Sequence, residues 1–349
     1  MENRVMIGMS GGVDSSVAAY LLQQQGFSCV GATMELYPSG SPDARDAANV
    51  AQRLGMPHHI FSLAEEFTQQ VIAPFAAAYE QGLTPNPCIR CNRTMKFGRL
   101  MELAKDFGCQ YVASGHYARI RRDEKTGRYL LYKAVDSEKD QTYFLACLTQ
   151  EQLIHIQFPL GGLTKDTVRQ IALENGFLNA RKRDSQDICF VPDGDYGAFL
   201  ERYTGKTYPD GDYLDLQGNV VGRHHGAVRY TLGQRKGLGI ALGAPVYVCG
   251  KDMEKNTVTV GGNEALFSPG LRADGWVWYP FPELTRPLRV TAKIRHSRFE
   301  IPAQVTPEKN GYARVDFDTP QRAVTPGQAV VLYQEELVIG GGTIREALK

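Results

Sequence analysis

Two cysteines have the spacing and surroundings to do chemistry. Cys88 and Cys91 stand two residues apart in "TPNPCIRCN", beside two prolines. A thiolate is a strong nucleophile near neutral pH, and neighbouring cations lower its pKa. Residues 88–99 carry Arg90, Arg93, Lys96 and Arg99 and no acid. Such a stretch could activate a thiol or meet phosphates, although a solvated basic helix face is the plainer reading. A zinc site needs a second ligand pair, and no CxxC or CxxH follows nearby. A thioredoxin-type pair would open a helix in a small βαβ domain, without this Pro-Asn-Pro lead-in. The segment therefore reads as a loop.

A second constellation is "MSGGVDSS", Met9 to Ser16, between a strand pattern and a helix pattern. Gly11 and Gly12 let the backbone turn so that several N–H groups converge. Ser10, Ser15 and Ser16 add hydroxyls, and the helix start adds its positive end. Together they suit a polyphosphate. No lysine follows the second glycine, so this is not a Walker loop. Asp14 either orients the loop or meets magnesium.

These residues need a scaffold that brings them together. "RVMIGM", "FSCVGATM", "HHIFSL" and "QYVASGHY" read as buried strands separated by helix patterns, which predicts a parallel sheet covered on both faces. "SGGVDSS" and "SGHY" both follow strands, where ligands of such sheets bind. "RIRRDEKTGRYLLYKAV" reads as a hairpin, and helix patterns follow at 141–153, 165–176 and 196–203. After Thr204 short alternating strands dominate. The expected fold class is α/β: an N-terminal Rossmann-like parallel-sheet domain (1–203), a small β-rich domain (204–268) and a C-terminal β-barrel (269–349). Seven cysteines spread over 349 residues argue against a disulfide framework. The net charge of +1 neither requires nor excludes nucleic acid. No apolar run reaches membrane-span length, and the N-terminus has no export-signal pattern, so no membrane partner and a cytoplasmic location are expected.

The string "SGGVDSS" matches the SGG-x-DS pyrophosphate loop of the ATP pyrophosphatases, which adenylate a carbonyl oxygen and release pyrophosphate. Together with "NPCIRCNRTMKFG", "SGHYAR", "KDQTYFL", "SQDICFV", "YTLGQRKGLG" and "TPGQAVVLY", it resembles the bacterial tRNA-specific 2-thiouridylases from Val5 to about Ile344. The resemblance implies an adenine-nucleotide-hydrolase-like N-terminal domain where ATP, with Mg2+, activates the C2 oxygen of the wobble uridine of certain tRNAs, which sulfur then replaces. It implies that Gly8, Met9, Ser10, Gly11, Gly12, Val13, Asp14, Ser15, Met34 and Gly115 hold ATP. Asn86, Pro87 and Cys88 would meet the target base. His116, Lys139, Asp140, Gln141, Arg295, His296 and Gln328 would meet tRNA. Cys91 and Cys189 would be catalytic, with Cys189 carrying a persulfide supplied by an upstream sulfur-donor protein. Cys91 would then release sulfide from that persulfide or resolve the adduct as a disulfide with Cys189. Cys88 stands where a common form of the family has aspartate. This departure keeps a second chemistry open: a [4Fe–4S] cluster on Cys88, Cys91 and Cys189.

The remaining signals are weaker. Cys29, Cys109, Cys147 and Cys249 sit in apolar patterns and read as core. His58-His59 and His224-His225 are adjacent in strands, so their rings point to opposite faces. Arg223, Arg229, Arg235 and Lys236, with Lys293, Arg295, His296 and Arg298, offer a basic β surface for RNA backbone.

Overall fold

The computed structural model describes residues 3–36, 42–177, 179, 188–297 and 299–349. Arg298 and residues 185–187 of the "SQDICFV" motif lie outside them. The first seven strands are β1 (Arg4–Gly8), β2 (Ser28–Glu35), β3 (His58–Ser62), β4 (Tyr111–Ala113), β5 (Arg119–Arg122), β6 (Tyr129–Tyr132) and β7 (Ile156–Gln157). Five of them form a parallel sheet in the order β3-β2-β1-β4-β7. The two-residue period of β1 feeds two cores. Val5 and Ile7 pack with α1 (Val13–Gln24), α2 (Pro42–Arg53) and the helix Lys165–Glu174. Met6 packs on the opposite face with Phe97, Leu100 and Ala104. The chain leaves β1 toward β2, while β4 flanks β1 on its other side. The crevice at this reversal lies beyond the carboxyl ends of β1 and β4.

The loop expected at "CIRC" is instead helical. Pro87–Cys91 opens a helix that runs through wide π-type turns at Asn92–Arg99 into Leu100–Asp106. Asn86 is its cap, its side-chain oxygen accepting from the N–H groups of Cys88 (3.1 Å) and Ile89 (3.4 Å). Proline in a first helical turn forfeits no hydrogen bond, so the Pro-Asn-Pro lead-in ends where the helix begins. The helix expected over 141–153 is also divided, into Thr142–Leu145 and Gln150–Leu153. Thr149 and Gln152 cap the second piece reciprocally, which starts it afresh.

The central strands are β8 (Gly211–Leu214), β9 (Val220–His224), β10 (Tyr247–Asp252) and β11 (Thr257–Gly261), in the order β10-β11-β8-β9. The last six are β12 (Phe267–Trp278), β13 (Leu288–Lys293), β14 (Ile301–Pro307), β15 (Ala313–Arg322), β16 (Ala329–Gln334) and β17 (Leu337–Ala347). They run β12-β15-β14-β13-β16-β17 and close through β12–β17 pairing. Ala303 and Val305 point into this barrel, and Pro302 and Gln304 point out. The β5–β6 hairpin joins the barrel's sheet, Tyr132 pairing with Leu337. A piece of the first segment thus extends the last sheet.

Candidate active site

The glycine–serine turn after β1 is held from all sides. Gly11 has φ +69°, a conformation open to glycine at little cost. Ser15 Oγ accepts from the Ser10 N–H (3.3 Å) and donates to the Gly12 carbonyl (3.1 Å); Ser16 Oγ also donates to Gly12 O (3.0 Å). Gly12, at the cap position of α1, makes no side-chain cap, and among the described residues no cap hydrogen bond is made there. Thr33 Oγ1 donates to the Met9 carbonyl (2.9 Å) and lies 2.9 Å from His58 Nε2. With its own hydrogen committed, Thr33 accepts from His58, which fixes the Nε2–H tautomer. Gly115 sits against the turn: a Cβ there would fall 2.6 Å from Asp14 C and Ser15 N. Met34, half-buried near the carboxyl end of β2, lines the same edge of the sheet.

Asp14 is engaged by partners that sequence reasoning misses. Lys165 Nζ lies 2.8 Å from both carboxylate oxygens, and Tyr117 Oη donates to one of them (2.8 Å). Lys165 is only 4% exposed. It occupies the first turn of its helix, where a cation opposes the dipole; that mismatch is the available signal. Asn179, 6% exposed, donates to Gly11 O (3.0 Å) and Ser16 Oγ (2.9 Å). No spacing in the sequence links Asn179 to the turn.

The thiols are drawn to one neighbourhood. Cys91 is buried, Cys88 half-buried and Cys189 exposed. Phe190, packed against Phe67, Phe75 and Phe199, pins the Cys189 segment beside the helix that carries Cys91. Cys189 is close enough that its charge would oppose ionisation of both partners. Activation of Cys91 by the basic stretch is not what this arrangement gives. Burial pushes its thiol up to about 11, outweighing the pull of Lys96, with Cys189 and Cys88 adding to the rise. Cys88 is raised by the same burial, again against Lys96. Much of the basic stretch is otherwise occupied: Arg90 donates to Gln70 O, and Arg99 faces Glu66 and Glu102. Among the described residues no group of three Cys, His, Asp or Glu is disposed to hold a metal ion, so the three thiols present no cluster-ready ligand set in this arrangement.

The expected RNA-side residues converge around Tyr143 and Phe144. The His296 ring lies 4.6 Å from that of Phe144 and 6.1 Å from that of Tyr143. Phe144 O accepts from the side chain of Asn92, the neighbour of Cys91 (3.0 Å). Gln328 accepts from Tyr143 Oη (3.5 Å), and Arg295 donates to Arg322 O (2.7 Å). Asp140 is buried and accepts from Ala134 N, Thr142 N and Thr142 Oγ1. Gln141 exchanges two bonds with the Tyr117 backbone, and Lys139 N donates to Asp136 O. His116 packs between Phe97 and Phe158 with Nδ1 2.7 Å from Ser114 Oγ. Burial, and then Lys96, hold it well below its ordinary pKa. Of the other cysteines, Cys29 and Cys109 are buried, and Cys147 and Cys249 are half-buried.

Family models match three consecutive stretches: a tRNA methyl transferase HUP domain at 3–193, a tRNA methyl transferase PRC-barrel domain at 197–262 and an aminomethyltransferase β-barrel domain at 268–344. The chain is 47% identical to the tRNA-specific 2-thiouridylase MnmA of Acetivibrio thermocellus, over 99% of each chain. It is 45% identical to that of Clostridioides difficile, over 100% of this chain and 99% of the relative. A 4-thiouridine synthetase in complex with RNA and ATP shares 15% identity at a TM-score of 0.35, over 58% of this chain and 50% of the other. This chain belongs to the tRNA-specific 2-thiouridylase family.

Proposed function

We propose that this chain is an ATP-dependent tRNA sulfurtransferase that exchanges the C2 oxygen of the wobble uridine for sulfur. The observation that carries the reading is the pairing of an exposed Cys189 with a buried Cys91 in a chain that also keeps the serine–glycine turn intact. The turn, with Gly115 pressed against it, receives the ATP phosphates, and Met34 meets the adenosine. The uridine O2 attacks the α-phosphate, and pyrophosphate leaves. Mg2+ comes with the nucleotide; both oxygens of Asp14 are taken by Lys165 and Tyr117, so Asp14 orients the turn.

Cys189 lies where a donor protein can reach it, and its terminal persulfide sulfur attacks C2. AMP departs with the former O2. Cys91 then attacks Cys189 Sγ, the S–S bond of the adduct breaks, and 2-thiouridine leaves with a Cys91–Cys189 disulfide behind it. A dithiol reductant returns both thiols. Asn86, Pro87 and Cys88 lie at the start of the helix, where the flipped base arrives. Lys139, Arg295 and His296 line the approach for RNA, whereas Asp140 is buried, Gln141 is held by Tyr117 and Gln328 by Thr84, so these three shape that approach without meeting RNA. No helix of the described residues is long and apolar enough to cross a membrane, and a tRNA substrate suits work in the cytoplasm.

Cys189→Ser should abolish thiolation and leave tRNA-dependent pyrophosphate release intact. Thiolation by the serine variant would sink the persulfide assignment. Absence of tRNA-dependent pyrophosphate release in the wild type would sink the whole reading.

A further inference from the structure

The turn between β15 and β16 reaches out of the barrel to one residue of the catalytic domain. The Thr84 N–H donates to Pro326 O (3.0 Å), and Gln328 Nε2 donates to Thr84 O (2.9 Å). Gly327 lies between them at φ +91°; a Cβ there would fall 2.9 Å from Thr84 N and 3.0 Å from Leu83 Cβ. The turn is itself fixed in the barrel, because Gly327 N donates to Ile344 O and Ile344 N to Gln328 O. The peptide groups on either side of the Thr84 Cα are therefore both clamped to a rigid element.

The chain just beyond Thr84 has little freedom. Pro85 and Pro87 each lock φ, and the residues before them are confined to extended backbone. Asn86, between them, caps the helix that carries Cys88 and Cys91. A shift at Thr84 is passed on to the cap and the first turn, because few torsions remain to absorb it. The far end of the same turn is tied elsewhere. Arg322 donates to Asn263 Oδ1 (2.9 Å) and Gly233 O (3.3 Å), and its carbonyl accepts from Arg295. One short stretch thus touches the central domain, an expected RNA-contact residue and the approach to the thiols.

We propose that Gln328 is a positioning residue for sulfur transfer: its carboxamide ties the barrel to Thr84 and so fixes the Cys88–Cys91 helix relative to Cys189. The inference rests on the sulfurtransferase reading. It differs from a role in RNA affinity, since the amide nitrogen is already committed to Thr84.

The test uses Gln328→Glu, which keeps the size and an acceptor for Tyr143 but sets an oxygen against Thr84 O, and Gln328→Met, which keeps the packing without either bond. Single-turnover thiolation on saturating tRNA should fall about tenfold in both, the effect expected for losing one well-placed hydrogen bond. The tRNA Kd and the rate of tRNA-dependent pyrophosphate release should stay within about threefold of wild type, too small a change for a lost RNA contact. Should Gln328→Glu fail to fold, Gln328→Met decides. Loss of tRNA affinity with an unchanged saturated rate would overturn the proposal, as would wild-type behaviour in both measurements. Wild-type protein that lacks tRNA-dependent pyrophosphate release would instead remove the reading on which it rests.

Discussion

Lys165 Nζ and Asp14 form a near-symmetric ion pair, 2.8 Å to each carboxylate oxygen, across 151 residues of chain. Lys165 is buried, so the pair anchors the serine–glycine turn to the helix Lys165–Glu174. Lys165→Met should leave the Asp14 carboxylate without its cation and cost about 1–3 kcal/mol in unfolding free energy. It should also raise the KM for ATP about tenfold or more. The double variant Asp14→Asn with Lys165→Met should regain much of the stability and little of the ATP affinity, as measured by denaturant unfolding and pyrophosphate release. Equal recovery of both would make the pair purely structural.

Gly115→Ala tests how closely the end of β4 supports the turn. A methyl there would sit 2.6 Å from backbone atoms of Asp14 and Ser15, which cannot move without opening the turn. Pyrophosphate release should fall at least about a hundredfold, in line with misplacing a phosphate-binding element by about an ångström. The tRNA affinity should be retained, and a filter-binding assay would read it.

Asn86→Ala removes the cap of the thiol helix, at a cost of about 1 kcal/mol. Asn86→Asp keeps an acceptor for the Cys88 and Ile89 N–H groups and should restore that stability. If the aspartate variant is stable yet slow in thiolation, Asn86 has a second role at the base; if it is fully active, the cap is its whole contribution.

The thiols should separate by alkylation rate. At pH 7 iodoacetamide should modify exposed Cys189 well before Cys91, whose thiol is held up to about 11 by burial. Because the folded-state pKa is raised, labelling of Cys91 should climb about tenfold per pH unit toward that value. The same sign means that the stability gained by keeping this thiol protonated is lost as pH rises from the ordinary cysteine range through about 11. Lys96→Met should slow Cys91 further, since it removes the opposing cation. Mass spectrometry of labelled peptides distinguishes the sites.

The parallel sheet, its two covered faces and the turn after β1 are legible because period-2 and period-3.6 patterns and a serine–glycine string are local. The helical start at Cys88 is not, because proline is compatible with both an extended lead-in and a first helical turn. Adjacent charges suggest that Lys96 activates Cys91. Burial reverses it, and burial depends on Phe67, Phe75 and Phe190 arriving from other parts of the chain.

By itself the sequence determined which atoms are available: two thiols in one CxxC stretch, a third about a hundred residues on, and a turn that can wrap phosphate. Only the tertiary structure decided which of them meet. Lys165 on Asp14, Asn179 on Gly11 and Gln328 on Thr84 each join residues too far apart for any spacing rule to connect. Such pairs are set by how sheets and helices pack, and packing is a property of the whole chain rather than of any segment.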